Sequence, residues 1–109
     1  MNIYTFSVKQ PYKNYILKWI KTIEGRLNKW KFKKLKIGDI LQFETWEKFL
    51  VKWKRYYKTF KEMLLKENIN KVLPNVESID KGVKVYYNFY TPAQEKQYWV
   101  IAIEIEKIN

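Results

Sequence analysis

Three ionisable residues stand close together in KTIEGRL (21–27): Lys21, Glu24 and Arg26. Residues 22–27 alternate, with Thr22, Glu24 and Arg26 on one register and Ile23, Gly25 and Leu27 on the other. In a strand, side chains two apart share a face. Glu24 and Arg26 are therefore expected to point together, away from the side that Ile23 and Leu27 bury. Arg26 offers a planar fork of donors for a phosphate or a base edge. Lys21 supplies a compact cation or, when desolvated, an amine of lowered pKa that takes a proton. Glu24 can accept from an exocyclic amino group or activate a water. The same three residues could instead form an ion-pair cluster that orders a helix-to-strand corner, and such pairs contribute little at a surface. Both readings stand at this level.

Two absences narrow the chemistry. The chain has no His and no Cys, which excludes zinc sites built on those ligands and Ser-His-Asp or Cys-His nucleophile pairs. No metal and no cofactor is expected. An enzyme of this composition would work with Lys, Glu, Asp, Tyr, Thr or Ser. The lack of Cys also removes any disulfide framework and makes an intracellular, cytoplasmic setting the expectation.

The net charge of +11 is unevenly spread. Residues 1–61 carry 16 Lys/Arg against 4 Asp/Glu, a net +12, whereas 62–109 carry 6 against 7, a net −1. Concentrated positive charge favours a polyanionic partner. Nucleic acid is the first expectation, ahead of an acidic protein or membrane surface. Lys29, Lys31, Lys33, Lys34 and Lys36 interleave with Trp30 and Phe32, a pattern that suits phosphate contacts beside a base-stacking ring. A solvated loop whose rings tuck into the core is the alternative. Lys52, Lys54 and Lys58 extend the charge along one face of a strand.

The elements that must position these residues follow from periodicity. The chain of 109 residues suits one domain spanning 1–109. No apolar run approaches the ~20 residues that span a bilayer, and MNIYTFSVKQPY lacks the apolar core of a secretory signal. IYTFSV (3–8) reads as a first strand. Tyr12, Tyr15, Ile16, Trp19 and Ile20 follow Pro11 at helical spacing, giving an amphipathic helix of about three turns. After TIEGRL comes a basic connection, then Ile37-Gly38-Asp39 turning into the strand DILQFETW. In LVKWKRYYK (50–58), Val51, Trp53 and Tyr57 fall on one face; Arg55 lies on that apolar side and needs a partner. Thr59 and Glu62 match a capping box. SIDKGVKVYYNFY has β propensity, yet Ile79, Val83, Tyr86, Tyr87 and Tyr90 fall at helical spacing, and Ser78 suits a helix start. Thr91-Pro92 breaks the pattern. YWVIAIEIEKI (98–108) is the clearest strand, with Trp99, Ile101, Ile103 and Ile105 expected to be buried. The order β-α-β-β-β-α-α-β predicts an α+β fold: a curled, mostly antiparallel β-barrel with helices packed at its edge and ends.

On ILKWIKTIEGRLN, LKIGDILQFE, TFKEMLLKENINKVLPNVES and YNFYTPAQEKQYWVIAIEIEKI, the chain resembles the ASCH family of the PUA-like superfamily. Lys21, Thr22, Glu24 and Arg26 match the family's charged run near the start. Trp19 stands where the family usually has Gly, and Trp99 replaces the family's Gly before the last strand. The resemblance implies a pseudo-barrel with a cleft between the first helix and the sheet, lined in this chain by Lys9, Gln10 and Tyr12, where related domains bind RNA or a modified nucleoside. With the basic tract and strand lysines read above, the expected nucleic-acid-binding surface is Lys21, Glu24, Arg26, Lys29, Trp30, Lys31, Lys33, Lys34, Lys52 and Lys54. Some ASCH-like proteins are amidohydrolases acting on N4-acetylcytidine, and others are reported to cleave RNA. On that alternative Lys21 and Glu24 would be catalytic, with Glu67 as a later carboxylate. Glu24, however, stands where those enzymes carry a nucleophilic Thr.

Overall fold

A computed structural model describes residues 1–108. Five strands form one sheet in the order β1-β3-β4-β5-β2, from β1 (Ile3–Phe6), β2 (Ile23–Leu27), β3 (Ile40–Phe43), β4 (Lys48–Tyr57) and β5 (Val100–Ile108). Three of the four pairings are antiparallel, and β1 runs parallel to β3. The expected barrel is not closed. β1 and β2 are the two edges and share no ladder. A side chain spans from one to the other instead: Arg26 of β2 donates to the carbonyl of Ser7, just beyond β1, at 2.5 Å.

The sheet separates two cores. On one side Phe6, Phe43 and Phe49 pack with Ile101, Ile103 and Ile105, covered by Ile16 of α1 (Tyr12–Leu17) and Phe32 of α2 (Trp30–Lys34). On the other, Val100, Ala102, Ile23 and Leu27 meet α3 (Phe60–Lys66), α4 (Ile69–Val72) and α5 (Ile79–Tyr87). β5 is therefore buried on both faces over its first four residues, which explains why VIAI reads as a continuous apolar run rather than an alternation.

The helix read over 79–90 forms as α5 but ends at Tyr87, before Tyr90, and the Ser78 hydroxyl accepts from the Lys81 N–H. Gly82 is there for space: a Cβ would lie 2.8 Å from Leu64. Thr59 caps α3 by accepting from the Glu62 N–H. A reciprocal capping box lies instead at Thr91 and Gln94, where the α5 pattern has ended and Thr91-Pro92 opens a new helix, α6 (Pro92–Tyr98).

Three expectations fail for physical reasons. The first helix is half the expected length, because Trp19 enters the left-handed region at φ 65° and leaves Trp19 and Ile20 exposed. In β4 the register shifts between Val51 and Trp53. That extra residue turns Arg55 and Tyr57 to the face opposite Val51 and leaves Trp53 exposed. Trp99 is not buried with the isoleucines but ends α6 at φ 64°, exposed.

Candidate nucleic-acid cleft

The free edge of β2 borders a cleft of about 200 Å³. The Ser7–Lys9 turn and Tyr12 of α1 form one wall, and Val85, Tyr86, Phe89 and Tyr90 at the end of α5 form the other. Lys21, Glu24, Gly25 and Arg26 lie between them. Glu24 is opposite Ile103 and Arg26 opposite Ile101 in the β2–β5 register, so the two share one face of the sheet. Ile23 and Leu27 face the other core.

Glu24 is 6% exposed and is bound from both sides. Lys21 Nζ is 3.2 Å from Oε1. Arg26 donates to Oε2 through Nε at 3.2 Å and a terminal nitrogen at 2.9 Å. Burial pushes the Glu24 carboxyl up, but the charges of Lys21 and Arg26 outweigh it and hold its pKa below the usual carboxylate value. Lys21 is 1% exposed. Burial draws its pKa down, opposed by Glu24. Its Nζ also donates to the carbonyls of Ile23 and Val72, each at 2.5 Å. Three N–H groups thus have three acceptors, the arrangement of an ammonium. Arg26 keeps its charge; burial opposes it, and the Glu24 carboxylate more than restores it. Its guanidinium lies 4.8 Å from the Phe32 ring, which ties the cleft to the basic helix α2.

Gly25 is required by the α5 wall. A Cβ there would lie 2.6 Å from the Tyr86 hydroxyl and 2.8 Å from Met63. Tyr86 stacks on Phe60 at 4.2 Å, and Tyr90 stacks on the same ring at 5.5 Å. The buried Tyr86 hydroxyl has no hydrogen-bond partner among the described residues, and burial raises its pKa well above the ordinary value.

The remaining sequence candidates divide. Lys9 and Tyr12 line the cleft. Gln10 does not; it bonds Asn14 on the exposed side of α1. Lys31 donates to the Thr5 carbonyl at 2.5 Å, close to the Ser7 wall. Lys29 stands over the rings of Trp30 and Tyr98, away from the cleft lining. Trp30 is exposed while Phe32 is buried, so the two rings of the tract part company. Lys33 and Lys34 are exposed or nearly so along α2. Lys52 pairs with Glu106, and Lys54 donates to the Leu35 carbonyl. Glu67 is not in the cleft: it bonds Arg55 and Tyr57, which supplies the partner that Arg55 needed. Among the described residues, no group of three or more carboxylates could hold a metal ion, and no helix is long and apolar enough to cross a membrane.

The residues that sequence reading missed are Tyr86, Phe89 and Tyr90. The i, i+4 spacing of the two tyrosines marked a helix face, but nothing in that spacing says the face closes a cleft against an edge strand.

The structure is similar to the crystal structure of hypothetical protein PH0355, with 48% identity, a TM-score of 0.93, and coverage of 99% of this chain and 100% of that one. It is also similar to the solution structure of protein PF0455 from Pyrococcus furiosus, with 41% identity, a TM-score of 0.84 and 98% of each chain covered. No curated protein matches the chain. The ASCH domain model matches residues 6–109, a span that holds the cleft, both walls and every strand but the start of β1. The chain belongs to the ASCH domain family.

Proposed function

We propose that this ASCH domain binds single-stranded RNA, holding one nucleotide in the cleft and the flanking backbone on the lysines beside it. The family is generally RNA-binding. The observation that carries the reading is the cleft's chemistry: an ionised carboxylate and a guanidinium paired at 2.9 Å between aromatic walls. A volume of about 200 Å³ is below the ~300–1,000 Å³ of pockets for drug-sized molecules and suits a single planar ring. Lys9 at the wall, Lys31 beside β1, and Lys33 and Lys34 along α2 supply cations for phosphates. Unpaired bases expose the hydrogen-bonding edges that a duplex hides, and aromatic side chains recognise their faces.

Affinity for a labelled single-stranded RNA, measured over a salt series, tests this. Each phosphate neutralised contributes about −0.7 to the slope of log K against log salt for single strands. Lys31→Glu with Lys33→Glu weakens binding to all sequences, and Arg26→Ala alters the preference among bases. Absence of RNA binding, or indifference to salt, ends the proposal. The hydrolase alternative has less support: Lys21 has no free N–H or lone pair in its three-acceptor arrangement, and Thr22 does not line the cleft. Incubation with N4-acetylcytidine and with labelled RNA, without product, retires it.

A further inference from the structure

Lys21 lies at the bottom of the cleft, and its surroundings assign it a different task from its neighbours. It is one of the large fully buried side chains among the described residues, and the one among them that carries a charge. Its three acceptors come from three places: Ile23 in β2, Val72 at the end of α4, and the Glu24 carboxylate. An ammonium has three donors and no acceptor, so nothing remains on Nζ for a ligand. Glu24 is different. A carboxylate has about four lone-pair sites; Oε2 takes two N–H groups from Arg26, and Oε1 takes one from Lys21. One acceptor site on Oε1 is left. Arg26 spends Nε and one terminal nitrogen on Glu24 and the Ser7 carbonyl. The two N–H groups of its other terminal nitrogen are not spent on either.

We infer that Lys21 is a positioning residue that never touches the bound nucleotide, and that the Glu24–Arg26 pair it fixes is the acceptor–donor edge that selects the base. The inference rests on the RNA-binding reading above and adds the ligand's required chemistry: an N–H donor beside an acceptor on one planar edge. Lys21 sets the orientation of Glu24 in two ways. Its charge keeps the carboxylate ionised, hence an acceptor only, and its two carbonyl bonds pin Nζ so that Oε1 cannot swing. Without it, Oε1 has no protein partner and Glu24 is held only through Oε2 by Arg26, so the Oε1 side of the edge loses its fixed direction and half of its neighbouring positive charge.

A lysine that grips phosphate and one that positions a carboxylate differ in salt dependence. Binding of short single-stranded homopolymers of A, C, G and U is measured across a salt series for the wild type, Lys21→Met, Lys9→Met and Lys21→Met/Glu24→Gln. The double variant removes both buried charges together, so it reports if Lys21→Met alone does not fold, as thermal melting shows. The expected result is that the Lys21 variants keep the wild-type salt slope while the preference for the best homopolymer shrinks by about tenfold. Lys9→Met lowers the slope by about 0.7 and keeps the preference. A slope that falls by about 0.7 in the Lys21 variants, or a preference that survives them, overturns the inference and leaves RNA binding standing. A wild type that binds no homopolymer overturns both.

Discussion

Lys21 Nζ and Glu24 Oε1 stand 3.2 Å apart where Lys21 is fully buried and Glu24 keeps only a small exposure toward the cleft. Isolated, each charge would be costly there, since burial of an ion without a partner costs several kcal/mol. Together with Arg26 they form a chain of three charges, two on the edge strand β2 and one just before it. The cluster ties β2 to α4 and to the turn after β1 through the carbonyls of Ile23, Val72 and Ser7, so the candidate site is also part of the structural frame.

The Glu24 carboxyl has a lower pKa in the folded protein than its ordinary value. Its contribution to stability is present above the unfolded value, near pH ~4.3, and is lost as pH falls through the folded value. Urea melts taken from neutral pH into acid are expected to show the midpoint falling over that window. Glu24→Gln should flatten that limb while lowering stability at neutral pH, because Lys21 and Arg26 then lose their counter-charge.

Gly25→Ala places a methyl group against the Tyr86 hydroxyl and Met63. The hydroxyl is the end of a ring stacked on Phe60, so it cannot swing away freely, and overpacking of this kind costs about 1–3 kcal/mol. Thermal melting should register the loss. RNA affinity should fall further than the melting shift implies, because α5 can relieve the clash only by moving the cleft wall.

Glu67 serves the framework rather than the cleft. Its carboxylate is bonded by Arg55 and Tyr57, and the Tyr57 hydroxyl is pushed up to about 12, first by burial and then by its bond to Glu67. Glu67→Gln is expected to lower stability by about 1–3 kcal/mol and to leave RNA affinity and base preference unchanged. A variant with normal melting and impaired binding would reverse that assignment.

Four of the five tryptophans occupy left-handed backbone: Trp19, Trp30, Trp46 and Trp99, with φ between 53° and 79°. All four side chains are exposed, so burial does not offset the strain, which is about 1–2 kcal/mol per residue. Glycine takes such φ without a Cβ clash, and Trp19 and Trp99 are the two positions where the resemblance drawn from the sequence expects glycine. Trp19→Gly, Trp46→Gly and Trp99→Gly are each expected to raise stability by about 0.5–1 kcal/mol, seen as a melting shift of a few degrees. The pattern is the one that a glycine codon decoded as tryptophan would leave; intact mass of the chain from its natural source distinguishes the two residues.

Local chemistry was readable wherever a single element decided it. The alternation of TIEGRL put Glu24 and Arg26 on one face. The hydroxyls of Thr59 and Ser78 marked two helix starts, because a cap needs only the next turn of its own helix. The spacing of Ile79 to Tyr87 identified α5 against its β propensity. Two of the failures involved partners distant in the chain, whereas the short first helix and the exposed Trp99 came from left-handed backbone that periodicity does not register. The bulge at Val51–Trp53 depends on how β4 fits β5, so alternation alone misplaced Trp53 and Arg55. Barrel closure depends on whether two edge strands meet, and here a guanidinium spans the gap in place of a ladder.

The sequence by itself determined the composition of the site: Lys21, Glu24 and Arg26 adjacent on one segment, in a chain whose first half carries its excess positive charge. Only the tertiary structure decided which of their hydrogen-bonding positions are already taken. The carbonyl of Val72, 51 residues away, takes one of Lys21's donors, and Tyr86 of α5 and Tyr90 just beyond that helix arrive from the other side of the cleft. Charge is a property of residue type, whereas a free hydrogen-bonding site is what remains after distant partners have been satisfied.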